Sequence, residues 1–315
     1  MKKNTIQFQK GLSISEFLKE YGEESQCFES LVKMRWPSGF QCPKCGCKAH
    51  CRLKTRHTLF QCNNCCTQTS VMAGTIFHST KLPLTKWFLA IYLMTQSKNG
   101  ISQLELARQV GVSANTGAAL YHKLAQVMLE RDMDKPLSHK IELDDAYWGG
   151  KKKGKRGRGS ENKTPFIAAV EKDESNHPQR IKLHVVSGFK KREIKQWASK
   201  HLQEGAVVAS DGLPCFRGIK DAGYEHEVTV VGNGRDPRKT APFNWVNTVL
   251  GNLKTAFAGT FHKLSRPHLP RHLAIFQYRF NRRFILEDMI PRLIYVSLRT
   301  PPMPKRLLVL TENRW

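Results

Sequence analysis

The sequence predicts a multidomain α/β protein, on three observations. Two Cys-x-x-Cys pairs fall close together near the N-terminus. Apolar residues recur at helical spacing through the next stretch, and from residue 138 onward short apolar runs of strand length surround a helical one. At 315 residues and 40% apolar, the chain has room for two or three cores. The expected organisation is a helical lead-in over 1–35, a cysteine ribbon over 36–80, a helical region over 81–137, an α/β domain over 138–285 and a tail over 286–315.

Charge narrows the partner. The chain carries 51 Lys and Arg against 26 Asp and Glu, a formal charge of +25. Such an excess points to a polyanion, and to nucleic acid before a membrane surface, because no basic amphipathic helix dominates. With no run of about 18 apolar residues, no membrane span is expected. The opening Met1-Lys2-Lys3-Asn4-Thr5-Ile6 lacks the apolar core of a signal peptide, so a cytoplasmic protein is expected.

In the lead-in, Ser13 is placed to cap a helix whose Ile14, Phe17, Leu18 and Tyr21 share a face. Phe28, Leu31, Val32 and Trp36 continue that pattern, which reads as an ordinary packing face.

Seven of the nine cysteines crowd between positions 42 and 66. In a basic chain without a secretory start, that clustering favours metal over disulfides. Cys42 with Cys45, and Cys62 with Cys65, each form a knuckle that aims two thiolates at one ion. Sixteen residues lie between the pairs, enough for a hairpin that closes a tetrahedral site around one structural Zn²⁺. Cys47, Cys51 and Cys66 leave the ligand choice open, although the repeated Gln-Cys-x-x-Cys frame favours the outer set. A redox role for one knuckle is the competing reading. A ribbon this small can hardly build an apolar core, so zinc is expected to supply its stability.

Pro83 opens a helix that runs to about Met94, with Trp87, Phe88, Ile91 and Tyr92 apolar. Residues 102–113 then read as helix, glycine turn at Gly111 and a new N-cap at Ser113, with a second helix over 116–128. This matches a helix-turn-helix, which would place Asn115, Thr116, His122 and Lys123 in a major groove of double-stranded DNA. A plain helical hairpin is the alternative.

The α/β region offers strands at 140–143, 166–171, 181–186, 206–210 and 227–231, with an amphipathic helix at 191–202. Three strands, a helix and then a parallel strand is the order of a ribonuclease-H-like fold, though antiparallel hairpins would read the same way. Between the first two strands lie Lys151, Lys152, Lys153, Lys155, Arg156 and Arg158 among glycines. Such a loop suits a phosphate backbone.

Two carboxylates sit where this sheet would do chemistry. Glu142-Leu143-Asp144-Asp145 closes the first strand, and Asp211 follows the apolar run 206–209 and Ser210, just before Gly212. Aspartates at the ends of adjacent strands are what two Mg²⁺ (or Mn²⁺) ions need to activate a nucleophile and stabilise a leaving oxygen. The bland alternative is a solvated acidic turn. Asp145 is expected to face away from Asp144, in a supporting role. A third ligand should come from a helix near 244–254, where Asn247 and Lys254 lie two turns apart on one face.

Taken together, the chain resembles the insertion-sequence transposases with a zinc ribbon and an ISXO-type catalytic domain of the acidic-triad (DDE) class. The matching residues are the Cys-x-x-Cys pairs, the stretch from Glu142 to Gly150, Ser210-Asp211-Gly212, Val246-Asn247-Thr248 with Lys254, Gly259-Thr260-Phe261-His262, and residues 276–283. They run in order over residues 28–284. The resemblance implies a ribonuclease-H-like fold that cuts and joins DNA with two Mg²⁺ ions. It makes Asp144 and Asp211 metal-binding aspartates, puts Asn247 where many relatives have glutamate, and matches Lys254 to a following lysine. Asp211 follows Asp144 by 67 residues and precedes Asn247 by 36.

The asparagine departs from the acidic triad and brings no charge to the second metal, although one branch of the family carries it. Asn252 is the rival ligand. The implied activity is binding of terminal inverted repeats followed by 3′-end transfer, by a homo-oligomer on the bacterial nucleoid. His262 and residues 276–283 could touch DNA ends, but the latter stretch reads better as a core helix with a basic face. Three alternatives stand beside the transposase: a zinc-ribbon regulator that binds DNA without catalysis, a nuclease that hydrolyses without joining, and an inactive copy.

Overall fold

The computed structural model describes residues 11–310 apart from 54, 55, 57, 134, 150–162, 231–240, 262 and 263. The chain divides into two compact units, Met1–Val127 with Arg283–Val309, and Met128–Arg282 with Leu310–Trp315. Among the described residues no helix is long and apolar enough to cross a membrane.

The first unit begins with α1 (Ile14–Tyr21) and α2 (Glu24–Arg35). Ser13 accepts from the amide of Glu16, whose side chain accepts in return from the Ser13 amide, a reciprocal cap that fixes where α1 starts. Strands β1 (His50–Arg52), β2 (Leu59–Cys62) and β3 (Gln68–Ser70) follow as one antiparallel sheet in that order. Phe40 stacks on Phe60 at 5.6 Å and Trp36 meets the same ring edge-on at 5.0 Å. Phe40 and Phe60 are buried, so the ribbon has a small aromatic core where none was expected.

Helices α3 (Leu84–Gln96), α4 (Gln103–Val110) and α5 (Ala114–Met133) come next. Ser102 caps α4 and Ser113 caps α5, each through its hydroxyl to the amide three residues on. Gly111 ends α4 in the left-handed region at φ 68°, where a side chain would strain the backbone. Gly117 lies so close to α4 that an added Cβ would stand 2.5 Å from the Cβ of Ala107. The helices are longer than the periodicity alone indicated, since α5 starts at its cap and runs on to Met133.

The second unit is built on β4 (Lys140–Trp148), β5 (Thr164–Lys172), β6 (Pro178–Val185), α6 (Lys191–His201), β7 (Val207–Ser210), α7 (Gly218–Asp221), β8 (Glu225–Val228), α8 (Asn244–Thr260) and α9 (Leu269–Asn281). The five strands lie in the order β6-β5-β4-β7-β8. β4, β5 and β6 pair antiparallel, whereas β7 runs parallel to β4 and β8 parallel to β7. That is the order the ribonuclease-H-like reading requires, and the parallel pairs rule out a sheet of antiparallel hairpins alone.

Strand alternation divides the core between the two faces. Ile141, Leu143, Ile167, Ala169 and Val208 pack on one side with Ile194 and Trp197 of α6. Ala146, Phe166, Ala168 and Val170 pack on the other with Val246, Val249, Leu250 and Leu253 of α8 and Leu273 of α9. β4 extends well beyond the expected residue 143, because its pairing with β5 continues to Trp148 opposite Thr164.

α9 covers the open edge of β6. Asn281 accepts from the Ile181 amide at 2.7 Å and donates to its carbonyl at 3.0 Å, and Gln277 accepts from the Leu183 amide at 2.7 Å. The side-chain amides thus take the place of a neighbouring strand. The stretch 276–283 supplies the end of this largely buried helix, in keeping with the packing reading.

Back in the first unit, α10 (Met289–Ser297) packs on α2 and α3 and buries Met289, Ile290, Leu293 and Ile294.

Candidate active site

Pairing between β4 and β7 stops at Leu143 opposite Ser210, and the next residue on each strand is Asp144 and Asp211. Both aspartates therefore emerge at one level where two parallel strands part, the usual place for a site in such a sheet. The carboxylate of Asp145 joins them. One oxygen from each of Asp144, Asp145 and Asp211 lies within 4.8 Å of the other two.

Asp145 departs from the simple alternation, which put it on the opposite face. Its amide donates to Oδ1 of Asp144 at 2.8 Å, which holds the Asp144 carboxylate against the Asp145 backbone. An acidic pair at the point where one neighbouring strand ends is the sequence signal that could have found it.

Local bonds fix the other acid. Oδ1 of Asp211 accepts from the Leu213 amide at 3.1 Å, an Asx turn that ends the strand. Behind it, the buried Ser210 hydroxyl lies 2.7 Å from Nε2 of His226 and ties β7 to β8.

Burial, and then the charges of Asp145 and Asp211, push the Asp144 carboxyl up to about 7. The Asp145 amide and the Lys254 ammonium pull it the other way. Three carboxylates this close repel one another, and a divalent cation among them would remove the repulsion. The donor set fits such an ion.

α8 carries the other candidates. Asn247 and Lys254 are exposed on one helical face, and Lys254 is near enough to act on Asp144 electrostatically. The helix begins at Asn244, so Asn247 falls in its first turn and Asn252 is rotated away from it.

In the first unit the four outer thiols converge. Cys42, Cys45, Cys62 and Cys65 have sulfurs within 4.8 Å of one another, with Cys42–Cys65 and Cys45–Cys62 both at 3.5 Å. These separations suit the edges of a four-sulfur tetrahedron better than thiol hydrogen bonds. Cys47, Cys51 and Cys66 lie outside the cluster. The two knuckles share a backbone frame. Cys42 donates to the carbonyl of Cys47 and Cys62 to that of Thr67, while Gly46 and Cys66 both stand in the left-handed region.

The remaining candidates are placed as follows. Asn115 and Thr116 are exposed in the first turn of α5. His122 is half-buried with Nε2 3.0 Å from Nε2 of Gln103, and Lys123 is half-buried with its ammonium 5.8 Å from the Trp87 ring centre. Lys151, Lys152, Lys153, Lys155, Arg156, Arg158 and His262 lie outside the described residues.

Two family models match this chain. Residues 136–281 match the ISXO2-like transposase domain, and residues 22–68 match the transposase zinc-ribbon domain. The chain thus carries an ISXO2-like transposase domain behind a transposase zinc ribbon. The transposase is 24% identical over 284 residues to an uncharacterised protein in the transposable element ISH50 of Halobacterium salinarum. That alignment covers 83% of this chain and 92% of the relative.

Among solved structures, the transposase is similar to the Mos1 transposase paired-end complex with left transposon end. The TM-score is 0.25 at 12% identity, over 68% of this chain and 79% of the other. A pre-cleavage Mos1 transpososome gives 0.28 at 11% identity, over 72% and 79% of the two chains. These overall superpositions are slight.

Proposed function

We propose that this transposase binds the terminal inverted repeats of its insertion sequence, cuts the DNA there and transfers the freed 3′ ends to a target. The observation that carries the reading is the convergence of Asp144, Asp145 and Asp211 where β4 and β7 part. Two Mg²⁺ or Mn²⁺ ions there would activate a water and then a 3′-hydroxyl and stabilise the leaving oxygen of an in-line displacement.

Asp144 and Asp211 are the metal-binding aspartates, with Asp144 as the ligand the two ions would share. Asn247 offers an amide oxygen from α8 without charge, and Asp145 supplies the third negative charge that a glutamate at 247 would bring. Asn252 is turned about 140° from Asn247 on an ideal helix, whereas Lys254 is nearly in line with it, which favours Asn247 as the ligand. Lys254, already close enough to act on Asp144, holds a phosphate beside the scissile bond.

The remaining parts serve DNA binding. Cys42, Cys45, Cys62 and Cys65 hold one Zn²⁺ that fixes the ribbon. α4, the Gly111 turn and α5 form a helix-turn-helix in which the exposed Asn115 and Thr116 reach bases. The half-buried His122 and Lys123 instead hold α5 against its neighbours. The basic run from Lys151 to Arg158 is assigned to phosphate contact on charge alone. Two ends must be paired, so a homo-oligomer on double-stranded DNA is the working form.

The test is incubation of the protein with labelled end duplex and a target plasmid, with and without Mg²⁺. Metal-dependent nicks with 3′-hydroxyl ends and joined products are expected. Hydrolysis without joining would reduce the protein to a nuclease. Tight binding without any cleavage would make it a regulator.

A further inference from the structure

Glu142 precedes Asp144 by two positions on β4 and so shares its face of the sheet, the face covered by α8. It is among the most buried charged residues described, at 1% exposure. A carboxylate so deep needs partners, and it has three. Oε2 accepts from the backbone amides of Trp245 and Val246, both at 2.8 Å, and Oε1 lies 3.1 Å from the Lys172 ammonium on β5.

Trp245 and Val246 are the second and third residues of α8. Their amides are the ones an N-cap side chain normally satisfies, but the residue before this helix is Phe243, which has no acceptor, and no side chain of its own caps it. The strand supplies the cap instead, and its negative charge suits the positive end of the helix. A second tether stands beside it, since the Trp245 indole donates to the carbonyl of Asn176 at 2.6 Å. Further along, Trp148 at the end of β4 meets Phe257 of α8 edge-on at 5.1 Å. Strand and helix are pinned at two places, with Asp144 on one and Asn247 and Lys254 on the other between the pins.

We propose that Glu142 is a positioning residue: by capping α8 from β4 it sets where Asn247 and Lys254 stand relative to Asp144. With both oxygens committed, Glu142 is not itself a metal ligand, although it lies in the same acidic stretch. Asn247 follows Val246 directly, so a shift of the cap moves the amide ligand with it. The inference rests on the reading that Asp144, Asp211 and Asn247 hold the catalytic metals, and its test has readouts besides cleavage.

The experiment is Mn²⁺ titration by electron paramagnetic resonance on the full-length, zinc-loaded protein, together with amide exchange at Trp245 and Val246. The variants are Glu142→Gln, Glu142→Asp, Glu142→Ala, Asn247→Ala and the Glu142→Ala/Asn247→Ala pair, with Asp211→Ala as the metal-site control. Glu142→Gln keeps an acceptor for both amides and should bind Mn²⁺ within about threefold of wild type. Glu142→Ala should open both amides to exchange and weaken Mn²⁺ by about tenfold or more, the usual scale for a residue that orients a ligand. In the Asn247→Ala background the same change should add less than about twofold, because its effect passes through α8.

Should Glu142→Ala fail to fold, the comparison of Gln with Asp decides. Positioning requires the longer neutral side chain to outperform the shorter charged one, and the reverse order overturns the proposal. Unchanged exchange in Glu142→Ala, or losses that multiply in the double variant, would also overturn it. Wild type that binds Mn²⁺ no better than Asp211→Ala would overturn the metal reading and this inference together. Tight wild-type binding with an indifferent Glu142→Ala would overturn this inference alone.

Discussion

Asp211 stands beside Asp144 because the parallel pairing of their strands ends one residue earlier, at Ser210 opposite Leu143. The backbone register alone brings two residues 67 positions apart to one level. The Asp145 carboxylate completes a cluster within 4.8 Å, so three carboxyl groups share a space in which a divalent ion would offset their mutual repulsion.

The neutral amide at position 247 gives the first prediction. Asn247→Glu adds the charge that the position lacks and should raise Mn²⁺ affinity about tenfold, while Asn247→Ala should lower it by a similar factor. Isothermal titration with Mn²⁺ checks both. An Asn252→Ala variant that loses more affinity than Asn247→Ala would move the ligand to 252.

The cysteine knuckles give the second. Cys42→Ser or Cys62→Ser should abolish bound zinc and unfold the ribbon, whereas Cys47→Ser and Cys51→Ser should leave zinc content unchanged. Cys66 holds a left-handed backbone at φ 54° where the first knuckle has Gly46, so Cys66→Gly should stabilise the protein by about 1 kcal/mol. Zinc analysis and thermal unfolding read these outcomes. Loss of zinc in Cys66→Gly would make that thiol a ligand.

Gly117 gives the third. In a free helix alanine outperforms glycine by about 1 kcal/mol, but here the new methyl would meet Ala107 at 2.5 Å. Gly117→Ala should therefore destabilise the protein by about 1–3 kcal/mol and weaken end binding. A variant with a raised Tm would show that the two helices are not in this close contact.

Much of this was legible in the sequence, for physical reasons. The Cys-x-x-Cys pairs and the Asp211-Gly212 strand end carry their chemistry in local spacing, and the structure brings the four outer thiols together and sets Asp211 beside Asp144, with Asp145 joining them against expectation. The ends of β4 were not legible, because only its pairing with β5 carries it on to Trp148. The place of the Asp145 carboxylate in the cluster was not legible either, because strand alternation sets it on the opposite face from Asp144. Glu142 was hidden for another reason. The two amides it caps lie more than a hundred residues away, at the start of a helix with no cap of its own. The aromatic floor of the ribbon likewise joins Trp36 and Phe40 to Phe60 across the hairpin.

Two histidines of the second unit give the fourth prediction. Burial, then the charges of Lys200 and Lys182, hold His184 down to about 4, and burial with His268 and Arg271 holds His272 down to about 3. Below the ordinary histidine value near 6.5, the unfolded chain takes up protons that the folded chain refuses. The resulting cost is absent above about pH 7, grows as pH falls through 6.5 and levels off below the folded values. The urea midpoint should therefore drop between pH 7 and 5, and drop less in His184→Gln. A midpoint equally steep in both proteins would remove His184 from the account.

The central claim is that Asp144 and Asp211 hold the metals that cut DNA, and comparing Asp211→Ala with wild type on labelled end DNA in Mg²⁺ tests it most directly. The account predicts that the variant binds the ends as wild type does and loses cleavage by at least about a hundredfold. Equal cleavage by the two proteins would contradict it.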